Sequence, residues 1–106
     1  MPKYLVEATY SAEGAKGILK AGGTARRKVV EQTTAEVGGK LEAFYFTFGD
    51  RDAVIIIDVP DNVAAAALSM AVNSTGAIRS RTTPLLTCEE IDRAAKDHVE
   101  YRAPGQ

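Results

Sequence analysis

The run Ala53-Val54-Ile55-Ile56-Ile57 constrains this chain more than any other feature. Five consecutive apolar residues, four of them β-branched, suit a strand better than a helix. Side chains alternate between the two faces of a strand, so this segment is apolar on both. A strand of that kind needs both faces covered. The segment Lys40–Phe48 before it carries Phe44, Tyr45, Phe46 and Phe48 and is apolar on both faces for most of its length. With Gly49-Asp50-Arg51 between them, the two segments predict a hairpin over 40–48 and 52–59. Pro60 ends its second arm.

The remaining elements follow from periodicity and stop signals. Lys3–Tyr10 alternates as a strand, with Tyr4, Val6, Ala8 and Tyr10 on one face and Lys3, Leu5, Glu7 and Thr9 on the other. Ser11 is the expected N-cap of a helical stretch that reaches about Val37. Gly22-Gly23 breaks that stretch, because two adjacent glycines cost roughly 2 kcal/mol relative to alanines in a helix interior. A restart is expected near Thr24, and Gly38-Gly39 ends the second half. Asp61 caps an alanine-rich helix over 62–74, with Gly76 beyond it. The segment 78–86 is the last strand, with Arg79, Arg81 and Thr83 on one side. Thr87 and Glu90 have capping-box spacing and open a short terminal helix. On that helix Glu89 and Arg93, and Asp92 and Lys96, stand i,i+4.

The order is β-α-β-β-α-β with a tail helix, an α+β sandwich of the ferredoxin-like kind with an antiparallel sheet. Both helices of that plan cover one sheet face. The other face is left bare, although 53–57 is apolar on both sides. A second copy of the chain is the expected cover, as a homodimer or a higher homo-oligomer.

Composition narrows the function classes. The chain has 106 residues, enough for one domain. Residues 1–88 form the expected domain and 89–106 its C-terminal helix and tail. Thirteen Lys and Arg against fourteen Asp and Glu leave a net charge of -1. That excludes nucleic-acid or acidic-membrane binding driven by bulk charge. One Cys (Cys88) and one His (His98) exclude an intrachain disulfide and leave no Cys/His zinc set, so neither metal nor cofactor is expected. The opening residues carry no secretory pattern and no segment approaches membrane-span length, so the expected location is cytoplasmic.

The ordered motifs Pro2-Lys3-Tyr4, Glu13-Gly14-Ala15-Lys16-Gly17, Arg26, Gly38-Gly39-Lys40-Leu41 and Tyr45 resemble the GYD-domain family. So do Gly49-Asp50-Arg51-Asp52, Pro60-Asp61, Gly76 and Thr82. The likeness covers roughly residues 2–90. It departs at Arg51, which stands where the family's triplet carries an aromatic before its aspartate. The resemblance implies a fold of the dimeric α/β-barrel type and a small, usually oligomeric bacterial protein. It implies no settled activity.

Four residues are the candidates for a ligand site between the sheet and the first helix: Tyr4, Arg26, Tyr45 and Asp52. Arg26 offers a bidentate partner for a carboxylate or phosphate, or else a surface ion pair. Asp52 offers a carboxylate at a strand mouth, or else turn chemistry. The two tyrosines offer phenol donors, or else are core rings with satisfied hydroxyls. Glu7, Arg79 and Arg81 are expected to share one sheet face as ion pairs or as an anion patch. Cys88 is expected to be inert, and His98, placed in the tail helix, to be a docking or surface residue.

The reading that follows is a homo-oligomeric small-molecule-binding or regulatory module. The alternative is a cofactor-free enzyme, a monooxygenase or isomerase, acting on a small aromatic or carbonyl compound. Its base would be Asp52 or a tyrosine, since the core elements hold no histidine. A purely structural subunit is a further reading. Single-stranded RNA binding on the same topology fails, because the 52–59 strand carries no aromatic for base stacking.

Overall fold

The computed structural model describes all 106 residues. The elements in chain order are β1 (Lys3–Tyr10), α1 (Ala12–Ala21), α2 (Gly23–Glu36), β2 (Lys40–Phe46), β3 (Ala53–Asp58), α3 (Asn62–Asn73), β4 (Ile78–Leu85) and α4 (Cys88–Lys96). The four strands form one antiparallel sheet in the order β2-β3-β1-β4. This is the α+β, ferredoxin-like arrangement expected from the sequence. The first helical stretch is two helices, and the hairpin arms stop sooner than the sequence predicts, at Phe46 and Asp58.

The caps fall where the side chains predict them. Ser11 accepts from the Gly14 N–H at the start of α1, and Asp61 accepts from the Ala64 N–H at the start of α3. Gly22 ends α1 with φ +88°, a left-handed conformation that suits glycine, and α2 restarts at Gly23. At Gly39 the requirement is space. A Cβ there would run into the Asp58 carbonyl oxygen and lie 2.6 Å from Val59 Cγ1. The α2–β2 corner packs directly on the end of β3.

Register assigns the two sheet faces. Tyr4, Val6 and Ala8 of β1 stand opposite Ile57, Ile55 and Ala53 of β3, on the helix-covered side. Tyr4, Ile55, Ile57 and Val59 form the buried core with Ala65 of α3, and Val30, Val37, Leu41, Phe44 and Leu68 pack around it. The Phe44 and Phe46 rings meet at a tilt, with a 5.0 Å centroid distance, whereas Phe48 lies past the strand and is fully exposed. The other face presents Leu5, Val54 and Ile56 half-buried, and no helix of the chain covers it. On that face Lys3 binds Glu42 at 2.8 Å and the buried Asp58 at 2.9 Å. Glu7 does not pair with Arg79 or Arg81. It pairs with Arg51 at 3.8 Å.

The tail helix α4 carries a full capping box: the Thr87 side chain accepts from the Glu90 N–H, and the Glu90 carboxylate accepts from the Thr87 N–H. Neither Glu89–Arg93 nor Asp92–Lys96 closes as an ion pair; the only i,i+4 bridge is Arg27–Glu31 on α2. No residue of α4 is buried, and the helix has no extensive packing against another element. The molecule is 56 Å long, with a radius of gyration of 16.9 Å. A compact chain of this length has about 13 Å.

Gly39→Ala is expected to lower stability by about 2 kcal/mol, because backbone and a β-branched side chain block the new methyl. Gly17→Ala meets nothing within 4 Å. In mid-helix it should stabilise by about 0.5–1 kcal/mol. Urea midpoints at unchanged slope check both. The Glu90 carboxyl lies below its ordinary value of 4.5, chiefly through the Thr87 backbone N–H. A depressed folded value means that its support of α4 is present above 4.5 and lost as pH falls through the folded value. Amide exchange along 88–96 should therefore quicken on acidification, and Thr87→Ala should quicken it at neutral pH.

Candidate functional site

A cavity of about 80 Å³ lies between the helix-covered sheet face and helices α2 and α3. Small side chains make the room. Ala8 and Ala65 sit where larger residues would fill the layer, and α3 carries four consecutive alanines at 64–67. The walls are mostly aliphatic and include Val6, Val30, Ile55, Leu68 and Ile78. The cavity exceeds the roughly 10–15 Å³ that one water needs.

Two ionisable side chains reach this cavity, Tyr10 and Arg26, and no carboxylate does. Arg26 stands in the first turn of α2, placed there by the break at Gly22-Gly23. Its Nε is fully buried and has no hydrogen-bond partner. Tyr10 ends β1 on the helix-covered face. Burial raises its phenol pKa, the Arg26 charge and hydrogen bonding pull against the rise, and Asp52 adds to it. Of the lining hydroxyls, Thr33 and Thr34 donate to the carbonyls of Val29 and Val30, and Ser80 donates to Asn73.

Beside the cavity runs an outer groove of about 340 Å³ along α1, from Glu13 to the Gly22 break. Tyr10, Arg26, Val29 and Ile78 line both spaces and form the wall between them. The guanidinium and the phenol therefore stand at the junction of an inner apolar chamber and an open approach.

The four sequence candidates are distributed as follows. Arg26 lines the cavity, and Asp52 acts on the Tyr10 next to it. The Asp52 carboxylate is engaged, with Oδ2 accepting from the Tyr10 backbone N–H at 2.8 Å. The Asp52 main chain donates to the Ala8 carbonyl and accepts from the Thr47 N–H. Asp52 thus ties together the ends of three strands, and no ion pair joins it to Arg26. Tyr4 is buried toward the other end of β1, about 20 Å from Tyr10 by strand rise, and its hydroxyl donates to Asn62 Oδ1 at the start of α3. Tyr45 is 70% exposed and stands opposite Val54, on the open face.

Sequence reasoning did not select Tyr10 for the site. Its signal was present in the alternation of β1, which puts it on the same face as Tyr4, Val6 and Ala8. Ser80 and Thr82 were legible in the same way, since they alternate with Arg79, Arg81 and Thr83 and so put polar groups on the helix-covered face. Cys88 is exposed, and His98 lies beyond α4, exposed and 3.7 Å from Glu100. No cluster of His, Cys, Asp or Glu is arranged to hold a metal ion. No helix is long and apolar enough to cross a membrane.

No curated protein and no solved structure matches the chain. A match to the GYD domain spans residues 4–95, from β1 into α4, and takes in Tyr10, Arg26, Asp52 and the cavity walls. The chain belongs to the GYD-domain family.

Proposed function

We propose that this protein is a homo-oligomeric small-molecule-binding module whose ligand enters the cavity at Tyr10 and Arg26. The observation that carries the reading is the buried Arg26 Nε, which has no partner and stands at the edge of an apolar chamber. Leaving a buried N–H without a partner is unfavourable, and a ligand acceptor would relieve it. An apolar space with a few convergent polar groups is the usual form of a small-molecule site.

The surface supports the homo-oligomeric half. A single chain exposes 7759 Å². A compact monomer of 11.3 kDa exposes roughly 5,700 Å². The excess of about 2,000 Å² is well above the ~800 Å² that a partner buries in a standard interface. The open sheet face and the exposed tail helix are the surfaces available. Leu5, Val54 and Ile56 on that face belong to strands whose other side is already core. Facing sheets in a dimer of the α/β-barrel type would cover them.

Native mass spectrometry of the chain isolated from its own host tests both halves together. The expected result is a defined oligomer of 11.3 kDa subunits carrying a retained small molecule. Ile56→Lys, at the centre of the open face, should shift the population to monomer while the fold persists by far-UV dichroism. A native monomer at micromolar concentration would sink the oligomer. Absence of any retained mass, with no response of the cavity methyl groups to added small molecules, would sink the binding reading.

A further inference from the structure

The cavity has a charge sign, and that sign selects a ligand class. Arg26 is the one charged residue on its walls. Tyr10 is neutral at physiological pH, and burial keeps it so. A guanidinium in such surroundings is matched by one negative charge, because an apolar chamber with no further cation disfavours a second. We propose that the site takes a monoanionic organic acid with a hydrocarbon body, its carboxylate on Arg26 and Tyr10. This rests on the small-molecule reading above and adds the chemistry of the ligand.

Three observations carry the assignment. The Arg26 Nε–H is buried and unpaired, so an acceptor beside it would satisfy it without displacing a protein partner. Asp52, whose charge bears on Tyr10 beside Arg26, has an oxygen held by the Tyr10 backbone N–H and makes no ion pair with Arg26. The Tyr10 phenol has Arg26 beside it and can donate its proton to the same anion.

Size and polarity settle the rest of the molecule. The inner chamber is mostly aliphatic and small, and hydroxyls of α2 on its wall already bond their own helix. It suits a short alkyl chain or a single ring in preference to a sugar or a nucleotide. Because Arg26 and Tyr10 also line the outer groove, a longer acid could extend along α1 toward Gly22 with its carboxylate in the same place.

Hexanoate and benzoate, each against its primary amide, are the probes. They are titrated into the full chain while the methyl resonances of Val6, Val30, Ile55 and Ile78 are followed by NMR. Each acid should bind at least about tenfold more tightly than its amide, as a charge-assisted bond to a guanidinium requires. The advantage should vanish as pH falls through the acid's own carboxyl pKa, since the neutral acid no longer matches the cation. Arg26→Gln should bring acid and amide to within about twofold, and Arg26→Lys should retain part of the preference, because it keeps the charge and loses the fork.

Equal binding of acid and amide by the native chain overturns the inference and leaves the small-molecule reading in place. So does an acid preference that survives in Arg26→Gln. Binding of none of the four probes also overturns it. If the host-isolated protein then carries no retained mass, the reading beneath it falls as well. The comparison of acid with amide on the native chain stands even if a variant fails to fold.

Discussion

The pairing of β1 with β3 is the constraint on which the rest of this structure depends. It places Tyr4 beside Ile57, Val6 beside Ile55 and Ala8 beside Ala53, all on one face. That single register separates a helix-covered side from an open side, and a slip of one residue would exchange them. It also brings Asp52 to the end of β1. There the ladder continues through the Asp52 N–H to the Ala8 carbonyl and through its carboxylate to the Tyr10 N–H. Tyr10 is thereby fixed in place, and the cavity wall with it. Asp52 therefore acts as a clamp, with one carboxylate oxygen held by the Tyr10 N–H.

The second constraint is the broken helix. A continuous helix from Ser11 to Val37 would run in one direction over the sheet. The break at Gly22 lets α1 and α2 take separate directions, leaving the outer groove along α1 and setting Arg26 one turn into α2. Phe46 packs against the restart: a Cβ at Gly23 would lie 2.8 Å from its ring. The glycine pair thus allows a change of direction and also a close approach of β2. The position of the cation follows from both.

Much of this was legible in the sequence, and the reasons are local. Ser11, Asp61, Thr87 and Glu90 cap helices because a side-chain oxygen one to three residues from a free N–H needs no tertiary information. The two-sided apolar run of β3 showed a strand that needs both faces covered, and the alternation of β1 put Tyr4, Val6, Ala8 and Tyr10 on one face. The choice among long-range partners was not legible. Glu7 lies opposite Arg81 in register yet pairs with Arg51 from the hairpin, because a long side chain can reach past its cross-strand neighbour. Tyr4 and Tyr45, both phenols on strands, end in opposite settings. One is in the core bonded to Asn62, and the other is exposed on the open face. Strand phase separates them only once a bulge between Leu41 and Ala43 is known, since it shifts the pairing of β2 with β3. The exposure of α4 was equally hidden, because its capping box forms whether or not the helix docks.

The hollow in the core bears on why such a cavity persists. Only nine residues are buried, and the cavity lies among their neighbours. Closed and left dry, a space of 80 Å³ would cost about 2 kcal/mol at ~24 cal/mol per Å³. That is a large fraction of the few kcal/mol by which a small domain is stable. Filling it would be chemically simple, since Ala8 and Ala65 are the smallest side chains that still hold strand and helix geometry. A larger residue at either position would instead press toward the space in front of Arg26. On the proposed reading, the small residues and the unpaired Arg26 Nε–H favour the same arrangement: an open site whose cost an acceptor with an apolar body would offset. By linkage, a ligand that binds only the folded chain stabilises it in proportion to the logarithm of its concentration over Kd. On that reading, an incomplete core is tolerated wherever such a ligand is abundant.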